Sequence, residues 1–105
     1  MNLGQFDVYV NPSKRGLAER PYVVVVQCNY LDTMPVRVVV PLVVESALRP
    51  IHRLNPIFKI EAKRLYFHPL EIAVFPTRSL RTRVANLEEY RDRIIAALDF
   101  VFTGI

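Results

Sequence analysis

Tryptophan is missing from this chain of 105 residues, and cysteine, histidine and glycine are scarce: one, two and three copies, against eight prolines. A single cysteine, Cys28, excludes an internal disulfide. It lies in an apolar stretch, where a small buried thiol is expected rather than a nucleophile. No Cys/His cluster exists, so no structural zinc site is expected, and no metal or other cofactor is called for. Gly4 and Gly16 are too far apart for a phosphate-cradling loop, which leaves the turns to be set largely by proline. No run is long enough to span a bilayer. The most apolar stretch, Val36 to Val44, is short and interrupted by Arg37 and Pro41. The first residues lack the basic, apolar, small-residue order of a leader, and without disulfides the default compartment is the cytoplasm. No lysine/arginine block forms a basic arm. Arg78, Arg81 and Arg83 are the densest cluster, expected on a solvated loop or an edge strand whose charges discourage edge pairing.

What is present is an ordinary globular composition, 51% hydrophobic and 23% charged. A chain of this length builds one domain, 1–105, with one core, small enough that oligomerisation would help to bury surface. The net charge of +4 and pI near 9.6 favour an acidic partner, protein or nucleic acid, without choosing between them.

From Asn86 to Ile105 the sequence reads as one amphipathic helix. Leu87, Tyr90, Ile94, Leu98 and Val101 recur at steps of three and four, with Ile95 and Phe102 widening the stripe. Asn86 is the expected N-cap, with Glu89 in capping-box position and Glu89–Arg93 as an i,i+4 pair. Gly104 is placed to end the helix in a left-handed cap. The end is unusually apolar. Phe100, Val101, Phe102 and Ile105 either dock on the core or are offered to a partner.

Ahead of this helix the pattern is that of short strands. Phe6 to Val10 alternates as a first strand, and a basic polar loop from Pro12 to Arg20 follows. Tyr22 to Tyr30 carries four successive valines, suited to a strand buried on both faces. Val36 to Val43 completes a hairpin with it, and Pro41 belongs at an edge or bulge for want of an N–H. Glu45 to Leu48 suits a helical turn. Ile57–Ile60 and Leu65–Phe67 pair about a turn at Ala62-Lys63-Arg64, Leu70 to Phe75 continues as strand, and Ser79 to Val84 adds a short basic one. The expected fold is mainly β with one C-terminal α-helix, a small antiparallel barrel with the helix beside it.

Catalytic material is thin. His52 and His68 share no nucleophile motif with a serine or with Cys28, and His68, beside Pro69, is expected as a hydrogen-bonded structural residue. Glu88 and Glu89 are accounted for by the helix dipole. The expectation is a protein that is not an enzyme. Tyr9, Tyr22, Tyr30, Tyr66 and Phe67 offer stacking faces for nucleic acid, but aromatic residues in strands are ordinary core, so no direct nucleic-acid contact is expected.

In series, Phe6-x-Val8-Tyr9, Gln27 with Leu31-Asp32-Thr33, Arg37-Val38-Val39-Val40-Pro41-Leu42, Val84-Ala85-Asn86-Leu87 and the closing Phe102-x-Gly104-Ile105 resemble the CcdB family of plasmid and chromosomal toxins. The resemblance implies a homodimer of SH3-like barrels, each with a C-terminal helix, in a bacterial toxin–antitoxin system. Such toxins bind the DNA gyrase A subunit, trap its cleavage complex with DNA, and are neutralised by a CcdA-like antitoxin whose disordered segment folds on them. Carried over by position, the gyrase contacts are Tyr30, Leu31, Asp99, Phe102, Thr103, Gly104 and Ile105. The antitoxin is expected on the loop bearing Lys14, Arg15 and Arg20, where positive charge suits an acidic disordered segment. Thr103 stands where the family carries a tryptophan, and Asp99 where it carries an asparagine. Loss of such an anchor typically costs ~2–4 kcal/mol, or ~30- to 1,000-fold in affinity. The alternatives are therefore a CcdB-fold protein that has lost or changed its gyrase target, or a MazF-like endoribonuclease drawing on Arg37, His68 and Thr77.

Overall fold

The β-branched stretch Val36–Val44 forms the longest strand, β3, and the sheet is arranged about it. The computed structural model describes residues 4–104. Ahead of β3 come β1 (Asp7–Val10) and β2 (Tyr22–Val25). After it come β4 (Ile57–Ile60), β5 (Lys63–Phe67), β6 (Ala73–Pro76), β7 (Arg83–Asn86) and the helix α1 (Arg91–Thr103). All pairings are antiparallel, in the order β4-β5-β3-β2-β1-β7, with β6 joined to β3 alongside β5. The sheet curls into a half-barrel, and α1 packs Ile94 and Ala97 into its core with Phe58, Phe67 and Leu87.

The valine run divides between two cores, as double burial requires. Val24 faces the main core, while Val23 and Val25 join Tyr9, Val39 and Leu80 on the opposite face, covered by Ala73 and Phe75. Of the aromatic residues weighed as stacking faces, Tyr9, Tyr22 and Phe67 are buried, so that set is mostly core.

Pro41 lies inside β3 rather than at an edge or bulge. On one side of β3, β6 pairs with Val36 to Val39 and β5 with Leu42 to Val44, so Val40 and Pro41 fall between the two partners. The Pro41 carbonyl points into this fork and accepts the His68 N–H at 3.1 Å. The absent N–H is therefore at the one place where β3 has no ladder partner to give it to.

Four boundaries differ from the sequence reading. The strand from Tyr22 stops at Val25 because the Gln27 side chain takes over the pairing: its Oε1 accepts the Val38 N–H at 3.0 Å and its Nε2 reaches the Leu31 and Val36 carbonyls. The backbone is thereby released into a 3₁₀ turn, Asn29–Leu31, and Cys28 is exposed on the bend rather than buried. The β4–β5 turn centres on Glu61 and Ala62, with φ of 49° and 68°, one residue before its expected place. Such angles fit a two-residue primed hairpin turn, here without glycine or asparagine. Pro69 opens a 3₁₀ turn, Pro69–Glu71, so β6 begins at Ala73 instead of Leu70. The strand expected at Ser79–Val84 forms at Arg83–Asn86.

The helix also begins later. Asn86 ends β7, where its Nδ2 donates to Asp7 Oδ1 at 2.8 Å while its Oδ1 accepts the Glu88 N–H at 2.8 Å. Leu87 gives its N–H to the Phe6 carbonyl at 2.9 Å, which holds the chain against β1. One 3₁₀ turn, Glu88–Tyr90, then intervenes before α1. The far end is as expected, since Gly104 adopts φ 75° and its N–H closes on the Phe100 carbonyl at 3.0 Å.

Candidate functional site

The apolar end of α1 divides between core and solvent. Val101 and Phe100 are half-buried, but Phe102 remains 70% exposed. Asp99 and Thr103 are also exposed, and the Thr103 hydroxyl turns back to donate to the Asp99 carbonyl at 2.8 Å. A β-hydroxyl one turn on from a helix carbonyl makes this back-bond readily, which directs the hydroxyl proton along the helix. Ile105 lies outside the described residues.

Tyr30 and Leu31 sit in the Asn29–Leu31 turn, with Tyr30 92% exposed. The turn is fixed from behind. Asn29 Oδ1 accepts the Gln5 N–H at 2.8 Å, and Arg91 reaches Gln5 Oε1 at 3.3 Å. These contacts tie Tyr30 and Leu31 to the beginning of α1, about 18 Å along the helix axis from its end. Within one chain the positions expected from the sequence to make contacts therefore form two patches.

Arg37 braces the same region. The residue is 4% exposed, and its guanidinium donates to the carbonyls of Asp32, Met34 and Val36 at 2.7, 2.7 and 2.9 Å, and to Thr77 Oγ1 at 3.2 Å. The structure thus brings Arg37 and Thr77 together, but as a clamp that spends the guanidinium donors on the Asp32–Met34 turn. His68 is placed elsewhere, at the β3 fork. Its Nδ1 is buried without a hydrogen-bond partner, contrary to the expectation of a bonded structural histidine, while Nε2 lies 3.9 Å from Glu71.

The loop after β1 is less free than its composition implies. Buried Asn11 donates to the Arg20 carbonyl at 2.9 Å and accepts the Ser13 N–H at 2.9 Å. Arg20 donates from Nε and Nη2 to the two oxygens of Glu71, and from Nη1 to Glu19 at 3.2 Å. The Arg20 bonds hold the Glu71 carboxyl below its ordinary value, and the same bonds raise the arginine. Lys14 and Arg15 are exposed, and Arg15 lines a shallow cavity of about 290 Å³ with Arg20, Glu71 and Phe75. Of the arginine cluster, Arg83 pairs with nearly buried Asp7 at 3.1 Å on edge strand β7, while Arg78 and Arg81 are exposed.

An apolar strip accompanies these patches. By the β3–β6 register, Val36 is opposite Pro76 and Val38 opposite Val74, all on one face, and Val36 and Val74 are exposed. Exposed Met34 precedes them. Sequence periodicity missed this strip because β3 reads as uniformly apolar, and only the pairing tells which half is covered.

Residues 5–104 of the chain are matched by the family model described as CcdB protein. The chain belongs to the CcdB family. Membership places it among the toxins of toxin–antitoxin systems. Comparison with curated proteins gives no match. Among the described residues of this CcdB-family chain, no group of His, Cys, Asp and Glu is arranged to hold a metal ion, and no helix is long and apolar enough to cross a membrane.

Proposed function

We propose that this CcdB-family chain acts in the cytoplasm by binding rather than catalysis, engaging the gyrase A subunit with the end of α1 and trapping gyrase on cleaved DNA. The observation that carries the reading is Phe102, a large apolar side chain held 70% in solvent by a well-capped helix end. Asp99, Thr103 and Gly104 share the last turn with it, Ile105 completes the proposed contact set by position in the sequence, and Tyr30 and Leu31 form the second patch. A two-fold pair of chains gives these separated patches a way to meet, the tip of one copy beside the turn of the other. The exposed strip of Val36, Val74 and Met34 is the surface such a homodimer would cover. A CcdA-like antitoxin is assigned to the loop of Lys14, Arg15 and Arg20. Lys14 and Arg15 supply the free charge there, since Arg20 is shared with Glu19 and Glu71.

One observation favours a second reading, in which antitoxin binding is kept and the gyrase target is lost or changed. Thr103 supplies no aromatic anchor at that position, and its hydroxyl proton is given to the Asp99 carbonyl. The deciding experiment incubates purified protein with gyrase and supercoiled plasmid, and measures linear DNA released by denaturation. Linear DNA with the unaltered chain supports gyrase poisoning. Its absence at high micromolar protein, together with its appearance in Thr103→Trp, supports the second reading.

A further inference from the structure

The chain returns from the 3₁₀ turn at Glu45–Ala47 to β4 through residues 50–56, and this loop stands off α1. Between them lies a cavity of about 540 Å³, lined by Ile51, His52, Arg53 and Pro56 from the loop and by Arg93 and Ala96 from the helix. No carboxylate lines it.

The loop is a built turn. Asn55, 7% exposed, accepts the Ile51 N–H at 2.9 Å and donates to the Phe67 carbonyl at 3.0 Å, and Leu54 is buried beside it. Arg53 is held at φ 74°, the left-handed region that costs a non-glycine residue about 1–2 kcal/mol. From there its guanidinium lies 5.0 Å from the centroid of the Phe100 ring. Across the groove the Arg93 guanidinium lies over Phe58 and Tyr90, at 5.1 and 5.6 Å. Among the described residues neither arginine has an ion-pair partner, and the two make one hydrogen bond between them, Arg93 to the Ile57 carbonyl at 3.3 Å. Arg37 shows the opposite pattern, buried with its donors spent on carbonyls. Here two guanidinium planes are steadied by aromatic rings with most of their N–H groups unbonded among the described residues, beside an apolar floor on which Ile51 is 55% exposed.

We propose that this groove receives an acidic segment of a protein partner, with carboxylates on Arg53 and Arg93 and one apolar side chain against Ile51 and Pro56. Two fork-shaped donors match carboxylates bidentately, and the volume suits one large side chain with its adjoining backbone. An apolar floor with only two arginines favours such a segment over nucleic acid, which would call for a longer track of cations. The site is distinct from both the helix tip and the loop of Lys14 and Arg15, and depends on neither gyrase nor antitoxin binding there. Because Arg53 rests on Phe100, an occupant lies alongside the helix end.

The test is an amide-resolved NMR titration of the full chain with a short peptide alternating glutamate and leucine, and with the same peptide carrying glutamine for glutamate. Shifts are expected at Ile51, His52, Ala96 and Phe100 with the acidic peptide. The affinity should fall at least about tenfold with the glutamine peptide or in Arg53→Gln. Arg53→Lys, which keeps the charge but loses the fork and the stacked plane, should keep only part of it, and Arg78→Gln, with the same loss of charge elsewhere, should keep all of it. A retained amide spectrum separates loss of binding from loss of fold. Equal binding of both peptides, shifts confined to the 12–20 loop, or no shift at millimolar peptide overturns the proposal. So does an oligothymidylate that displaces the peptide and binds more tightly, which assigns the groove to nucleic acid. Groove shifts that follow protein concentration alone assign it to a second copy of the chain.

Discussion

Arg20 grips Glu71 through two parallel hydrogen bonds, Nε to Oε1 at 2.6 Å and Nη2 to Oε2 at 2.8 Å, and so ties the loop after β1 to the 3₁₀ turn before β6. These bonds hold the folded-state carboxyl of Glu71 below its ordinary value of 4.5. A lowered folded value means that the contribution to stability is complete above the unfolded value and disappears as pH falls through the folded one. Glu71→Gln should therefore lower the melting temperature at pH 7, with a deficit that shrinks below pH 4.5 and closes once wild-type Glu71 is protonated. Thermal denaturation of both proteins from pH 7 downward checks it; a deficit independent of pH would deny the pair its role.

The Glu61-Ala62 turn holds Ala62 at φ 68°. Glycine reaches that angle without a clashing Cβ, so Ala62→Gly should stabilise the protein by about 0.5–1 kcal/mol despite adding freedom to the unfolded chain. Glu61 is left in place because its Oε1 accepts the Tyr22 hydroxyl at 2.9 Å. Urea unfolding gives the sign directly.

Arg37 should be irreplaceable by lysine. Removing the guanidinium leaves the Asp32, Met34 and Val36 carbonyls without their donor, and a single ammonium cannot span them. Arg37→Lys is expected to cost about 2–4 kcal/mol. Equilibrium unfolding measures it, and a change under about 0.5 kcal/mol would show that water satisfies the turn instead.

Two positions on α1 should separate folding from function. Ile94 is fully buried, and Ile94→Ala is expected to cost about 2–5 kcal/mol. Phe102→Ala should leave stability within about 0.5 kcal/mol of wild type yet weaken the toxin's target binding at least about tenfold. If Phe102→Ala unfolds the protein as readily as Ile94→Ala, the helix tip is core and not contact surface.

Much of the architecture was legible in the residues. The two hairpins, the double burial of the valines and the Gly104 cap follow from periodicity and turn chemistry. The misses share a cause: a side chain standing in for backbone, or tertiary contact overriding local preference. Gln27 ends β2 by pairing with β3 through its amide, and no periodic pattern announces that, so Cys28 was expected inside a strand. The stripe through Leu87 and Tyr90 reads on as helix, yet Asn86 and Leu87 are held against β1 and the turn that follows, Glu88–Tyr90, is 3₁₀. The candidate tip was visible as an apolar end, but its division between half-buried Phe100 and open Phe102 needed the packing. The facing of Arg53 and Arg93 had no local signal at all, because they lie far apart in the chain and belong to no motif.

Pro41, at the fork of β3, has a consequence for how the sheet keeps its parts distinct. An ordinary residue there would offer a loose hydrogen to whichever arm drifted within range, and β5 or β6 could creep along β3 at the other's expense. With that hydrogen gone, the two arms have a fixed frontier, and neither gains by crossing it.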